Sequence, residues 1–155
     1  MNMPGETATA GLRVRPFDMT ADVPAMSALF CQLGYETAEG VLRSRVAVGV
    51  SDPATKVLVA EDCDRIVGVL VMHVLAPWHE AACWAVVSAL VVDELARGNG
   101  AGALLLLSEA VAFARSIGCS HIELSSSEAR VRAHAFYERA GFAEVRKRFV
   151  KRLTV

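Results

Sequence analysis

The sequence predicts one α/β domain built on a mixed, predominantly antiparallel sheet, with a parallel β-α-β unit at its centre and helices on both faces. Two observations favour this class. Apolar residues alternate with polar ones in several short segments and recur at helical spacing in others. A glycine-rich turn also joins a β-branched run to a long apolar helical pattern. The 155 residues are 54% hydrophobic, which suits one well-packed core. We therefore expect a flexible N-terminal tail at 1–11 and a single domain at 12–155.

The predicted elements follow one another in the order β-α-α-β-β-β-α-β-α-β. Strands are placed where residues alternate or β-branched residues form a run, and helices where apolar residues recur every three or four positions. Gly118 and Gly141 each follow the last turn of a helix, a common position for a left-handed residue. The predicted strands are 12–17, 56–61, 65–74, 83–92, 121–124 and 143–153, and the predicted helices are 18–35, 37–50, 100–117 and 130–140.

Two connections fix the expected strand directions. Asp62-Cys63-Asp64 separates two β-branched runs and predicts a hairpin. Residues 85–124 contain a strand, a turn, a helix and a strand in succession, which predicts a right-handed parallel crossover. We expect the other strands to be antiparallel.

Charge and composition argue against several classes of partner. The 16 Lys and Arg nearly balance the 17 Asp and Glu, so no overall field attracts nucleic acid or an anionic membrane. The apolar segments are shorter than the roughly 20 residues of a membrane span, and no signal-peptide pattern is present, so we expect a cytoplasmic protein. The cysteines lack a C-x-x-C pair and are expected to be reduced, small buried hydrophobes. Neither they nor the histidines have metal-ligand spacing, and no metal is expected.

The most informative segment is Arg97-Gly98-Asn99-Gly100-Ala101-Gly102-Ala103, between a strand and the start of a helix. Helix N-termini carry unpaired N–H groups and partial positive charge, and glycines let the backbone approach an anion closely. The segment predicts a phosphate site, to which Arg97 would add a charged donor. It also matches the dinucleotide fingerprint G-x-G-x-x-A, with Glu123 as the ribose acid. However, residues 93–97 separate this fingerprint from its strand, and the remaining chain is too short for a second nucleotide-binding half.

Taken instead as Arg97-x-x-Gly100-x-Gly102, the turn resembles the pyrophosphate loop of the GNAT superfamily of N-acetyltransferases. A second segment, Phe136-Tyr137-Glu138-Arg139-Ala140-Gly141-Phe142, resembles that family's F-Y-E-x-x-G-F helix. Tyr137 lies 35 residues after Gly102, a separation that the family also has. The resemblance extends from about Val57 to the C-terminus.

The resemblance implies a GNAT-like fold, acetyl-CoA as cofactor, and direct attack by the amine of a small molecule, peptide or protein. Tyr137 would assist the leaving thiolate as a general acid. A homodimer is also compatible with the family. The implied cofactor-binding residues are Leu90, Val91 and Val92 for the pantetheine arm, Arg97, Gly98, Asn99, Gly100, Ala101, Gly102 and Ala103 for the pyrophosphate, and Arg130 and Phe136 on the flanking helix.

Two departures from the family pattern leave alternatives open. Arg130 replaces an Asn of many members, so it is either a variant phosphate contact or a surface arginine. The acid that often precedes the strand's L-V-V segment is missing, because that region is Val87-Ser88-Ala89. Without a dedicated base, water could take the proton, or the chain could be a silent CoA-binding sensor; a nicotinamide enzyme is the weaker alternative. The candidate replacement bases are Glu123, Glu80, His79 and His73.

Overall fold

The computed structural model describes residues 11–96 and 100–154 and contains two compact units, one ending at Ser125 and the other beginning at Ser126. The assignment of 12–155 to a single domain stays a prediction. The strands are β1 Leu12–Pro16, β2 Thr55–Asp62, β3 Arg65–Leu75, β4 Trp84–Val92 and β5 Ile122–Leu124. The helices are α1 Val23–Gln32, α2 Glu39–Ser51, α3 Ala101–Ser116 and α4 Val131–Arg139, with a 3-10 turn at Glu94–Ala96.

The sheet of the first unit has its strands in sequence order, β1-β2-β3-β4-β5. The first three pairings are antiparallel and the pairing of β4 with β5 is parallel, so the predicted mixed, mainly antiparallel sheet is confirmed. The parallel unit lies at one edge of the described sheet instead of its centre, because β5 has β4 as its neighbour and ends the strand order.

The predicted hairpin between β2 and β3 is also confirmed. Asp62 and Arg65 are paired, and the two residues between them, Cys63 and Asp64, have φ values of 49° and 63°. Two consecutive left-handed residues form the type I′ turn, whose twist matches that of the flanking strands.

Helices cover both faces of the sheet, as predicted. On one face, α1 and α2 bury Met26 and Leu42 in a cluster with Val59, Val69 and Val91. On the other face, α3 buries Leu106, and a Cβ built on Gly68 of β3 would lie 3.1 Å from the Leu106 Cδ1 atom. Because side chains alternate along a strand, neighbouring β3 residues such as Gly68 and Val69 face different helices.

Helix α1 begins at Val23, later than predicted, because the residues before it form a turn around a buried carboxylate. Asp22 is 3% exposed, and it accepts hydrogen bonds from the Asp18 backbone N–H at 2.7 Å and from Arg15 Nη1 and Nη2 at 2.7 and 3.0 Å. Burial raises the pKa of Asp22, but the hydrogen bonds from Arg15 and the Asp18 backbone, together with the charge of Arg15, outweigh it and leave the pKa below its ordinary value. The Arg15 Nε atom also donates to Glu61 at 3.1 Å.

The prediction of a last strand at 143–153 is wrong. Within residues 143–154, all of which the structure describes, no strand is formed, and Val145, Phe149 and Leu153 are strongly exposed. Alternation sorts side chains onto two faces, but it provides no neighbouring strand with which the backbone could pair. The described part of the second unit therefore contains α4 as its regular element.

Candidate active site

The pairing between β4 and β5 ends partway along β4. It covers Ala85 with Ile122, Val86 with Glu123, and Val87 with Leu124. Strand β4 then continues to Val92 while it remains paired with β3. The predicted pantetheine contacts Leu90, Val91 and Val92 all lie in this continuation. We use the term opening for the side of β4 beyond Val87, where no β5 residue is paired with it; an extended ligand could bind to a strand edge of this kind by strand-like pairing.

A β-bulge lies at the start of this opening. Val71 of β3 is opposite Ala89, and the next residue, Met72, is opposite Val87. Ser88 is therefore the extra residue of β4, outside the regular ladder, and its side chain is exposed. Bulges of this kind commonly redirect a side chain next to an active site.

The chain that leaves β4 is held in place from two sides. The Asp93 backbone N–H donates to the Val67 carbonyl at 2.7 Å, and the Glu94 backbone N–H donates to Gln32 Oε1 at 3.0 Å. The Asp93 carboxylate accepts the Leu95 backbone N–H at 2.9 Å. These bonds tie the exit of β4 to β3 and to the end of α1. The next predicted site residues, Arg97, Gly98 and Asn99, lie outside the described residues.

The start of α3 has the backbone that the glycine turn predicts. Gly100 is left-handed, with φ 80° and ψ 11°, and Ala101 is the first helical residue. The first helical hydrogen bond joins the Leu104 N–H to the Gly100 carbonyl at 3.0 Å. The N–H groups of Ala101, Gly102 and Ala103 therefore precede it, as at any helix N-terminus. At this end of a 16-residue helix, the partial positive charge and these donors suit the pyrophosphate of CoA.

Gly102 brings the first turn of α3 against the end of β4. A Cβ built on Gly102 would lie 3.6 Å from Val92 Cγ1, which is ordinary van der Waals contact. Alanine would therefore fit there, and a larger side chain would push the helix from the strand.

The second unit contains the predicted tyrosine. Tyr137 lies on α4, and its ring makes edge-to-face contacts with Phe136 at 5.5 Å and Phe142 at 5.9 Å between ring centroids. Burial raises the pKa of Tyr137, while the nearby charge of Arg130 lowers it in part. The phenol therefore stays protonated at neutral pH, as a proton or hydrogen-bond donor must.

Arg130 stands at the N-cap position of α4, where its carbonyl accepts the His134 backbone N–H at 3.1 Å. The imidazole of His134 also donates from Nε2 to the Ser127 carbonyl at 2.8 Å. The backbone before α4 is thus fastened to the helix that carries Tyr137 and Phe136.

The candidate bases lie in three different settings. Glu80 and His79 are exposed loop residues, with Glu80 Oε1 and His79 Nε2 3.9 Å apart. Glu123 accepts a hydrogen bond from His121 at 3.0 Å. His73, in contrast, is 2.8 Å from the hydroxyl of Ser88. In the sequence, Ser88 marks only the region of a missing acid, because a bulge has no pattern of its own in the sequence.

The structure also brings together residues that the sequence analysis kept apart. The sulfur atoms of Cys83 and Cys119 are 3.6 Å apart, and burial is the main cause that raises the pKa of Cys119 to about 11. The expectation of buried cysteines is wrong for Cys31 and Cys63, which are exposed. Trp84 stacks on His121 with ring centroids 5.4 Å apart.

Two further findings concern metal-binding groups and membrane-spanning helices. Among residues 11–96 and 100–154, no group of three or more His, Cys, Asp or Glu could hold a metal ion. Over the same residues, none of the helices has the length and apolarity that crossing a membrane requires.

A mixed sheet that opens beside one strand, followed by a helix that begins at a left-handed glycine, defines a class of proteins suited to an extended, phosphate-bearing cofactor. The model of the Acetyltransferase (GNAT) family matches residues 24–142 of the chain. The chain belongs to this family and is an N-acetyltransferase.

Individual relatives agree with this assignment. The aminoalkylphosphonate N-acetyltransferase of Salmonella typhimurium is 32% identical over 135 residues, which are 86% of this chain and 87% of that protein. A GNAT family acetyltransferase from Staphylococcus aureus superposes with a TM-score of 0.76 at 23% identity, over 92% of this chain and 99% of that one. The glucosamine-6-phosphate N-acetyltransferase of Arabidopsis thaliana superposes with a TM-score of 0.79 at 18% identity, over 92% of this chain and 99% of that one. Both structures show the common fold.

Proposed function

We propose that the chain transfers the acetyl group of acetyl-CoA to the primary amine of a small, anionic acceptor, with aminoalkylphosphonates as the candidate class. The observation that supports this cofactor is the left-handed Gly100 at the start of α3, the helix that follows β4, whose pairing with β5 ends at Val87. The acceptor class is supported by the 32% identity to an aminoalkylphosphonate N-acetyltransferase over most of both chains. A cytoplasmic location and a homodimer stay predictions from the sequence.

In this proposal the bound cofactor supplies an activated acetyl thioester, and the protein positions the thioester and the amine for reaction. The backbone from Leu90 to Val92 pairs with the pantetheine arm, and the amides of residues 98–103 hold the pyrophosphate. Arg97, Arg130 and Phe136 complete the cofactor contacts. Holding the amine next to the thioester accounts for most of the acceleration, since proximity and orientation lower the barrier more than one side chain does.

Tyr137 donates a hydrogen bond to the sulfur that leaves. A thiol has a pKa near 8.5 and a free tyrosine one near 10, so complete proton transfer from Tyr137 to the thiolate is uphill. The pKa of Tyr137 is raised further by burial. The phenol therefore stabilises the developing negative charge chiefly as a donor, and the sulfur then takes up the proton that the amine loses after attack.

Acceptor preference tests the proposal. Initial rates of CoA thiol release would be measured with 2-aminoethylphosphonate and with ethanolamine, which has the same amine and chain length but no phosphonate. We expect kcat/KM to be about tenfold or more higher for the phosphonate, because a site that binds a charged group discriminates against its loss. Equal rates would contradict the acceptor class, and no turnover with any primary amine would contradict the enzyme activity.

Replacement of Tyr137 by Phe tests the role of the phenol separately. The ring contacts with Phe136 and Phe142 are kept, so the fold should be unchanged. We expect kcat to fall by about 10²-fold or more with little change in KM for acetyl-CoA. Full activity with an unchanged pH profile would show that Tyr137 takes no part in the reaction.

A further inference from the structure

We propose that Ser88 accepts a proton from the acceptor ammonium and passes its own hydroxyl proton to His73, with Thr55 and Asp52 completing the chain behind it. This inference rests on the proposed function, because an alkylammonium must lose a proton before it can attack a thioester. It assigns a proton acceptor in place of the family's usual acid, which is missing from β4.

The four side chains form a continuous line of hydrogen bonds across three strands. Ser88 Oγ is 2.8 Å from His73 Nε2, and His73 Nδ1 is 3.3 Å from Thr55 Oγ1. The Thr55 hydroxyl donates to Asp52 Oδ2 at 3.1 Å. The other Asp52 oxygen accepts the Ala54 backbone N–H at 2.9 Å, which holds the carboxylate in place.

These contacts favour one direction of hydrogen bonding along the line of four side chains. Because the Thr55 hydroxyl donates its hydrogen to Asp52, the Thr55 oxygen accepts a hydrogen bond from His73 Nδ1–H. The neutral imidazole then has an unprotonated Nε2 that accepts the Ser88 hydroxyl. The Val71 carbonyl is the other acceptor near Ser88, but its distance of 3.5 Å is much longer than the 2.8 Å to His73. Ser88 is thereby prepared to accept a proton at its oxygen.

The position of these four side chains agrees with a role in proton transfer. Ser88 is the bulged residue of β4, directly after Val87, where the pairing with β5 ends. His73 lies on the same face of β3 as Val69, which packs with α1 and α2. A Cβ built on Gly49 of α2 would lie 3.7 Å from Thr55 Cγ2, so the end of α2 lies next to the hydrogen-bonded side chains. Ser88 is exposed and His73 is half-buried, so an acceptor can reach the hydroxyl while the imidazole stays behind it.

The proton balance is simple. One N–H bond of the ammonium breaks and an O–H bond forms on Ser88, while the former Ser88 O–H bond breaks and an N–H bond forms on His73 Nε2. The imidazolium is stabilised through Thr55 by the Asp52 carboxylate and later releases its proton to water. The neutral amine attacks the thioester carbonyl, the C–N bond forms, the C–S bond breaks, and a second amine proton neutralises the thiolate.

Glu123 is the rival acceptor. His73 is opposite Val86 in one pairing, and Val86 is opposite Glu123 in the next, so all three lie in one row across the sheet. Glu123 is engaged with His121 at 3.0 Å, and His121 with the Ser120 hydroxyl at 2.8 Å. We favour His73 because its hydrogen bond leads to the bulged residue at the opening of the sheet.

Acceptor amines of graded pKa provide the test. An alkylammonium with a pKa near 10.4 is only about one part in a thousand neutral at pH 7.4, so its reaction depends on a proton acceptor. An amine with a pKa below 7 is already mostly neutral. We expect His73→Gln and Ser88→Ala each to lower kcat/KM by about 10²-fold or more for the alkylammonium and by less than about threefold for the weakly basic amine. Ser88→Thr, which keeps the hydroxyl, should restore most of the activity.

Two controls separate proton transfer from structural damage. Glu123→Gln should affect both amines alike and weakly, and thermal unfolding with and without acetyl-CoA should show that every variant folds and binds the cofactor. Nitrogen-15 NMR of the ligand-free wild-type protein should find neutral His73 with its proton on Nδ1. This tautomer does not depend on activity.

Each other outcome has a definite meaning. Equal losses for both amines in His73→Gln, no loss for either, or a proton on Nε2 of neutral His73 would overturn the proposal. A selective loss in Glu123→Gln would assign the role to Glu123 and overturn it as well. If the wild-type protein binds acetyl-CoA but acetylates no amine, the proposed function fails, and this inference fails with it.

Discussion

Replacing Gly100 by Ala should lower the stability of the fold by a few degrees in Tm and weaken cofactor binding about tenfold. Gly100 has φ 80°, and a side chain in the left-handed region costs about 1–2 kcal/mol. The smaller entropy of the unfolded Ala chain offsets part of this cost. The net loss of stability is about 1 kcal/mol, which corresponds to a fall in Tm of about 2–4 °C for a chain of this size.

The same strain also weakens binding. In the variant, the backbone at residue 100 relaxes when no ligand is present and must return to the strained conformation to place the N–H groups at the start of α3 on the pyrophosphate. A free-energy cost of about 1.4 kcal/mol at that step lowers the affinity for the cofactor about tenfold. At a concentration of 100 times the wild-type Kd, the ligand stabilises the wild-type protein by about 2.7 kcal/mol and the variant by about 1.4 kcal/mol.

Gly118, at the other end of α3, provides a matched control. Its φ is 81°, and a Cβ built on it would meet nothing within 4 Å, so Gly118→Ala carries the same backbone strain. Differential scanning fluorimetry of both variants with and without acetyl-CoA is the assay. Similar Tm values without ligand, and a ligand-induced rise halved only in Gly100→Ala, would support the pyrophosphate site. An undiminished rise in Gly100→Ala, or equal reductions in both variants, would refute it.

Three further predictions concern packing, acid stability and thiol reactivity. Gly68→Ala should destabilise the fold by about 1–3 kcal/mol in denaturant unfolding, because its Cβ would lie 3.1 Å from Leu106 Cδ1 and 3.3 Å from the Val91 carbonyl; an unchanged midpoint would contradict the tight packing of α3. The lowered pKa values of Asp22 and Glu61 stabilise the protein above their ordinary values of 3.8 and 4.5, and this stability is lost as the pH falls through the folded values. Asp22→Asn should therefore cost about 2 kcal/mol at pH 7 and flatten the decline of Tm in acid, whereas an unchanged decline would show that Asp22 does not drive it. Cys119, whose pKa is about 11, should react with iodoacetamide at pH 8 more slowly than the exposed Cys31, as peptide mass spectrometry would show; equal rates would contradict its burial.

Local signals in the sequence predicted much of the fold. Helix α3 combines a strong apolar pattern with Gly118 directly after its last turn, and the hairpin at Cys63 and Asp64 has a short polar turn between two β-branched runs. In these cases the residues that specify the element are its own neighbours in the chain. This is also true of Gly100, whose left-handed backbone follows from its place between a strand and a helix.

The features that the sequence did not predict depend on distant residues. The start of α1 was misplaced because Asp22 binds Arg15, which belongs to β1. The last strand was wrong because alternation cannot supply a pairing partner. His73 was a candidate base in the sequence, but its contacts with Thr55 and the bulged Ser88 depend on the register in which β2, β3 and β4 pair. Such arrangements are properties of the folded sheet and not of any single segment.

Acetyl transfer itself is the most direct test of the central claim. The purified protein would be incubated with acetyl-CoA labelled in its acetyl group and with 2-aminoethylphosphonate, and the products would be identified by mass spectrometry. We predict a labelled N-acetyl product formed in equal amount with free CoA and absent when the protein is omitted. The account would be contradicted if folded protein that binds acetyl-CoA formed no labelled product with this or any other primary amine tested.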